Sequence, residues 1–153
     1  MEGFVSGNGK AQHQDFAMAC GEMSPPQFQE FLRQFLDYCR SFTQPASVIL
    51  ACMDWRQSHT LVLAAQDAKL QLIQMVIWDK GSGGMGSLYR NAFEQIHVYC
   101  DGPTPVVNNI KLGKTGRDRA NVQHHPGANK PGSSAAAPLK THATPKPVEL
   151  VEI

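Results

Sequence analysis

The sequence predicts an α/β domain whose sheet is mixed and ends in an antiparallel hairpin. Three observations carry this. Apolar residues recur at helical spacing from Phe28 to Cys39. Three apolar runs of strand length follow, at 47–53, 70–78 and 93–100. A second helical stretch separates the first two runs, whereas only about a dozen residues part the last two. Helix, strand, helix, strand is the order of a layered α/β domain with a mostly parallel sheet. The last connection is too short for a helical crossover, so that pair reads as antiparallel.

Residues 1–22 read as an irregular loop rich in glycine. Gly9-Lys10 looks like part of a phosphate-binding loop, but Phe4 stands where that motif needs glycine and Ala11 where it needs a metal-binding hydroxyl, so the match fails. The first helix starts at Ser24, a capping residue followed by Pro25 and by Gln27 of a capping box, with Met23 and Phe28 placed as a hydrophobic staple. Phe28, Phe31, Leu32, Phe35, Leu36 and Cys39 form its apolar stripe, and Pro45 bars continuation. The run Ser47–Met53 is apolar throughout, as expected of a strand covered on both faces. Asp54 caps a helix from about Trp55 to Lys69, with Leu61, Ala64, Ala65 and Ala68 inward. Leu70–Trp78 is the central strand and Phe93–Cys100 its neighbour. From Asp101 the periodicity is lost. Residues 108–126 are polar and basic, 126–138 form a linker or ordered loop, and Thr141 onward begins a short helix.

Composition excludes several classes. The chain has 153 residues, an ordinary apolar fraction and a formal charge of +1, so it is not a polycation. Its charge is uneven: Lys111, Lys114, Arg117 and Arg119 fall together against Asp118 alone, a patch suited to phosphate backbones or, on the plainer reading, a solvated loop. The four cysteines form no C-x-x-C pair and read as reduced thiols. With no run of membrane-spanning length and no signal-peptide pattern, the expectation is a cytoplasmic protein without a membrane partner. His124-His125 has no nearby Cys or spaced His to complete a metal site, so no metal is expected.

Gly81-Ser-Gly-Gly-Met-Gly86 follows a strand and fits the dinucleotide fingerprint. The helix which that motif must open has no room before the strand at Phe93, so the fingerprint is rejected. Asp54 and Asp79 stand at strand ends, where ligands gather in open α/β sheets. Asp54 is better explained as a cap, and Asp79 as solvated or paired with Lys80.

Five segments in order carry a resemblance: Gly3–Lys10 with Phe16–Ser24; Cys52–Arg56; Trp78–Arg90, ending in Gly86-Ser-Leu-Tyr-Arg90; Asn108–Val122; and His142–Val148. Together they resemble the DNA amino-methyltransferases that modify adenine N6 or cytosine N4, in particular phage and bacterial DNA methylases often fused to a ParB-like domain. The resemblance implies a partial Rossmann-like, S-adenosylmethionine-dependent methyltransferase fold. It divides the chain into a target-facing half of the catalytic domain over 1–100, a basic recognition-like loop and linker over 101–140, and the start of a Lys-Pro motif helix over 141–153. The function it implies is site-specific methylation of an exocyclic amine in DNA, adenine ahead of cytosine.

Residue by residue, the resemblance implies S-adenosylmethionine contacts at His142, Thr144, Lys146 and Pro147, where the family has a His-Pro-Thr-x-Lys-Pro motif. It also implies DNA contacts at Lys10, Tyr89, Arg90, Asn108, Asn109, Lys111, Lys114, Arg117 and Arg119. The asparagines suit base edges, the cations phosphates, and Tyr89 with Arg90 an extruded base or single strand. A packed Tyr and a solvated Arg are the plain alternatives for that last pair. Ala143, Pro145 and Gln123 depart from the family pattern. The family's catalytic Asp-Pro-Pro-Tyr and its Phe-x-Gly-x-Gly cofactor loop do not occur, so the chain is expected to be an internal fragment, inactive alone, with no catalytic residue of its own. A non-enzymatic DNA-binding remnant or accessory chain is the rival reading. Oligomeric state is not legible.

Overall fold

The structure, a computed structural model, describes residues 21–84, 88–107, 120–128 and 144–151, together with Met18, Lys130, Ser133 and Ser134. Its elements are α1 (Pro25–Ser41), β1 (Val48–Met53), a 3₁₀ turn (Trp55–Gln57), α2 (Ser58–Asp67), β2 (Gln71–Asp79), β3 (Phe93–Cys100), β4 (Val122–His124) and α3 (Val148–Val151). Among the described residues two compact units form. One comprises Pro25–Trp78 and Glu94–Gln123; the other takes in Asp79–Phe93 and the described residues from His124 on. No helix among the described residues is long and apolar enough to cross a membrane.

The first unit is built by the α1 stripe. Leu32 and Leu36 are buried, with Phe28, Phe31 and Cys39 packed beside them, against Leu61, Ala64, Ala65 and Ala68 of the α2 segment. Burying Leu36 completely contributes roughly 1.5–3 kcal/mol. Phe35, expected inward, is 53% exposed, since the stripe narrows to the positions that face α2. On the outer side Arg33 pairs with Glu30 and Asp37 along the helix, and its guanidinium holds the Glu30 carboxyl down to about 2. Arg40 closes the helix pair, donating to the Ala68 carbonyl at 3.3 Å and pairing with Asp101 at 2.9 Å.

Asp54 caps as expected, its carboxylate accepting from the Arg56 backbone N–H at 2.9 Å. The first turn is 3₁₀, and α2 begins at Ser58 rather than Trp55. Its end is a Schellman closure: Leu70 N–H donates to Ala65 O and Lys69 N–H to Gln66 O, both at 2.9 Å. Lys69 holds the left-handed position usually given to glycine, at φ 60°. Leu70 is buried just beyond it, the apolar contact that accompanies such closures.

The sheet order is β1-β3-β2-β4. β1 lies antiparallel to β3, with Ile49 opposite Tyr99, Ala51 opposite His97 and Met53 opposite Gln95. These six residues share the face beneath the helices, since alternate strand residues point the same way. The expectation of a mostly parallel sheet is corrected here, as is that of a β1 covered on both faces. β1 is an edge strand, so Ile49 is buried while Val48 and Leu50 on the reverse face stay exposed. The short β4, which falls where the sequence showed no periodicity, sits at the opposite edge. Ile77 N–H donates to Asn121 O at 2.8 Å, and His125 N–H to Asp79 O at 3.1 Å. The two bonds advance in the same sense along both segments, as a parallel pairing requires, so the sheet is mixed. Among the described residues Cys39, Cys52 and Cys100 form no disulfide.

Under the helices lies a polar pair. His97 and Tyr99 are wholly buried, with parallel rings 6.1 Å apart. Neither His97 ring nitrogen nor the Tyr99 hydroxyl reaches a hydrogen-bond partner in the structure. Burial pushes His97 down and pushes Tyr99 up to about 12.

Candidate nucleic-acid interface

The second unit is organised on the end of β2. Asp79 carries the chain out of the strand, and Lys80 N–H donates back to Ala92 O at 2.8 Å. Gly84 N–H reaches Asn91 O at 2.9 Å, so the neck of the loop 80–92 is hydrogen-bonded across. No helix opens among the described residues of this loop, in agreement with the rejected fingerprint. Beyond the neck, Leu88 is 85% and Tyr89 83% exposed, with Arg90 exposed beside them. Of the two readings of Tyr89, the packed one is therefore set aside: the ring stands in solvent at the loop tip.

Two glycines have specific spatial reasons. A Cβ at Gly83 would stand 2.4 Å from the Arg90 Cβ, so the absence of a side chain lets Arg90 fold back on the loop. Gly81 has φ +68°, and a Cβ there would stand 2.8 Å from His124 Cε1, 3.1 Å from His124 Nε2 and 3.4 Å from Lys130 Nζ.

Asp79 joins this loop to β4. Its Oδ1 accepts from Gly81 N–H at 2.8 Å, and its Oδ2 meets His124 Nδ1 at 3.1 Å. The Gly81 N–H, then His124 and Lys130, hold the Asp79 carboxyl below its ordinary range. To the sequence reading of Asp79 as solvated or paired with Lys80 the structure adds two definite partners. The partners are a backbone N–H two residues on and an imidazole 45 residues away. No local signal marks His124 for this role, because it depends on the pairing of β4 with β2. Lys130 follows from a turn: Gly127 N–H donates to Lys80 O at 3.3 Å and Lys130 N–H to Gly127 O at 2.9 Å.

Of the residues expected at the cofactor, Thr144 is exposed, Lys146 half-buried and Pro147 wholly buried, just before α3. That helix is tied by Ser134, whose hydroxyl donates to the Glu149 carboxylate at 2.6 Å and holds that carboxyl below its ordinary range, while Leu150 is buried. His142, Lys10, Asn108, Asn109, Lys111, Lys114, Arg117 and Arg119 lie outside the described residues. The structure therefore brings together Tyr89 and Arg90, adds Asp79 and His124, which the sequence marked only as a strand-end carboxylate and a rejected metal ligand, and Lys130, which it did not mark, and groups Thr144, Lys146 and Pro147 at α3.

No curated protein matches the chain. A family model described as DNA methylase, of the N6/N4 methyltransferase type, matches residues 9–153. That is nearly the whole length, and it covers the loop, β4 and the α3 segment alike: the chain belongs to the N6/N4 DNA methylase family.

Proposed function

We propose that the chain serves S-adenosylmethionine-dependent methylation of an exocyclic amine in DNA, adenine N6 ahead of cytosine N4, and that its share is to hold the target strand. The observation that carries this is the exposed Leu88-Tyr89-Arg90 tip on a neck fixed by backbone hydrogen bonds. An aromatic face beside a guanidinium suits an unstacked base and its phosphate, and base–aromatic stacking contributes roughly 1–3 kcal/mol per base. An amine inside the duplex cannot meet a methyl donor, so the base must leave the stack, at a cost of a few kcal/mol that such contacts offset. Asn108 and Asn109 read base edges and Lys10, Lys111, Lys114, Arg117 and Arg119 hold phosphates in the same proposal.

The fold in this reading is a partial Rossmann-like one, with β2 and β3 as its antiparallel hairpin, and with the target-facing half over 1–100, a recognition-like loop over 101–140 and the Lys-Pro helix from 141. The methyl donor supplies a sulfonium-activated methyl group. A hydroxyl at Thr144 and an ammonium at Lys146 suit its ribose and carboxylate, with His142 alongside, whereas Pro147 is buried and only shapes the turn. Asp79, the carboxylate nearest the loop tip in sequence, has both oxygens engaged and is a scaffold rather than a catalyst. No Asp-Pro-Pro-Tyr run occurs in these residues, so the chain alone is expected to bind DNA without methylating it.

The test is a titration of the purified chain with duplex DNA, with and without S-adenosylmethionine, at several salt concentrations. Salt-sensitive DNA binding that weakens several-fold in Tyr89→Ala and Arg90→Ala is the expected result. An absence of DNA binding at low salt overturns the proposal. Methyl transfer by the chain alone overturns its catalytic part, and DNA binding with no affinity for the methyl donor assigns the chain to DNA binding only.

A further inference from the structure

We infer that His124 and Lys130 converge over Gly81 to grip one backbone phosphate of DNA, with Asp79 as the residue that orients the imidazole. The inference rests on the DNA-facing role of the 80–92 loop and adds to it a contact on a different segment. Three observations lead to it. Asp79 Oδ2 takes the Nδ1 side of the His124 ring, which turns the Cε1–Nε2 edge toward Gly81. The place a Gly81 Cβ would take lies 3.1 Å from His124 Nε2 and 3.4 Å from Lys130 Nζ, which puts the two nitrogens within about 6.5 Å of each other. Two nitrogen donors at that separation can both be met, on their exposed sides, by the oxygens of a single phosphate. Third, backbone bonds hold the Lys130 main chain beside the loop, through Lys130 N–H on Gly127 O and Gly127 N–H on Lys80 O.

The charge is right as well. Asp79 is engaged by the Gly81 N–H and the imidazole, while Lys80 and Arg90 belong to the same loop as Gly81. As an imidazolium, His124 gives one ring N–H to Asp79 and the other to a phosphate oxygen. This is the arrangement in which a carboxylate fixes the ring and the opposite nitrogen works. DNA is the phosphate-bearing partner that family membership supplies. The side chains involved are exposed, so a duplex can reach them.

A duplex of arbitrary sequence titrated across a salt series tests this, with Tyr89→Ala run in parallel. Each phosphate contact contributes about 0.9 to the slope of log affinity on log salt. Lys130→Ala is expected to lower that slope by about one contact and the affinity roughly five- to tenfold. His124→Gln is expected to weaken binding comparably. Lys69→Ala, an exposed lysine outside the site, is the charge control and leaves both unchanged. Asp79→Asn discriminates most sharply. It removes a negative charge beside the phosphate, which simple electrostatics says should tighten binding. If Asp79 orients His124, affinity falls instead, with no further loss in the Asp79→Asn/His124→Gln double variant. Wild-type DNA binding that depends on Tyr89 but is indifferent to His124 and Lys130 refutes this inference and leaves the proposed function standing. Tighter binding by Asp79→Asn refutes the orienting role. No DNA binding at all removes both.

Discussion

His97 makes the stability of the protein depend on pH in a window of its own. Its ring is fully buried under α1 and α2, and neither nitrogen is hydrogen-bonded. Burial therefore favours the neutral ring and lowers its pKa from the ordinary 6.5. The sign follows directly. Above pH 6.5 the ring is neutral in both states and the folded protein has its full stability. As pH falls below 6.5 the unfolded chain binds a proton that the folded one refuses, so stability drops until the folded pKa is reached, and then levels. One proton bound only by the unfolded chain costs at most about 1.4 kcal/mol per pH unit. For a chain of this size that lowers Tm by roughly 3 to 6 °C per unit. The carboxylates with depressed pKa, Glu30, Asp79 and Glu149, act only below their ordinary 3.8 to 4.5 and do not share this window. The assay is urea or thermal unfolding between pH 7.5 and 5. His97→Phe keeps the ring parallel to Tyr99 and removes both nitrogens, so its stability should be flat where wild type falls; His97→Leu serves if the larger ring does not pack. At pH 7 the apolar variant should also gain on the order of 1 kcal/mol, since a buried unsatisfied polar group is lost. An unchanged pH slope in both variants refutes the reasoning.

Further substitutions test the packing and the loop. Tyr99→Phe removes a buried hydroxyl that lacks a partner, so Tm should hold or rise, in contrast to the loss of about 1 kcal/mol usual when a bonded hydroxyl is deleted. Lys69→Gly relieves a left-handed lysine at φ 60° and should stabilise by about 0.5–1 kcal/mol, read by chemical denaturation. Leu36→Ala empties the centre of the α1–α2 core and should cost about 2–5 kcal/mol by the same measurement. Gly83→Ala places a methyl 2.4 Å from the Arg90 Cβ, which no rotamer can move, so the loop backbone must shift. The expected outcome is a lower Tm together with weaker DNA binding.

Much of the fold was legible because it depends on local pattern. The α1 stripe, the Asp54 cap and the β3 boundaries follow from spacing and residue type. What failed was non-local. An apolar β1 reads as doubly covered, but sheet order decides coverage, and β1 falls at an edge against β3. Phe35 fits the helical period and still faces solvent, because period alone does not fix the width of the buried face. Lys69 gives no hint of a helix stop, since the Schellman bonds and buried Leu70 override its preference. β4 was invisible for a related reason: three residues with one apolar side chain make no pattern, and the strand exists because β2 offers it an edge.

The same cause hid half of the candidate site and explains what the glycine loop is for. Read as a motif, Gly81-Ser-Gly-Gly-Met-Gly86 is a fingerprint without its helix. Read in space, two of its glycines answer to particular side chains. Gly81 makes room for His124, which arrives on β4, and Gly83 makes room for Arg90, which returns from the far side of the loop. Arg90 follows the exposed Tyr89 in the chain, and His124 belongs to the same unit. A dinucleotide-binding loop uses its glycines so that a ligand's phosphates can approach the backbone. Here the edge of the His124 ring and the stem of Arg90 lie against the glycines instead. Under the proposed function the exposed Leu88-Tyr89-Arg90 run is the surface offered to a splayed nucleic-acid strand, and the glycines serve it by seating protein side chains, where a cofactor motif would seat a ligand's phosphates.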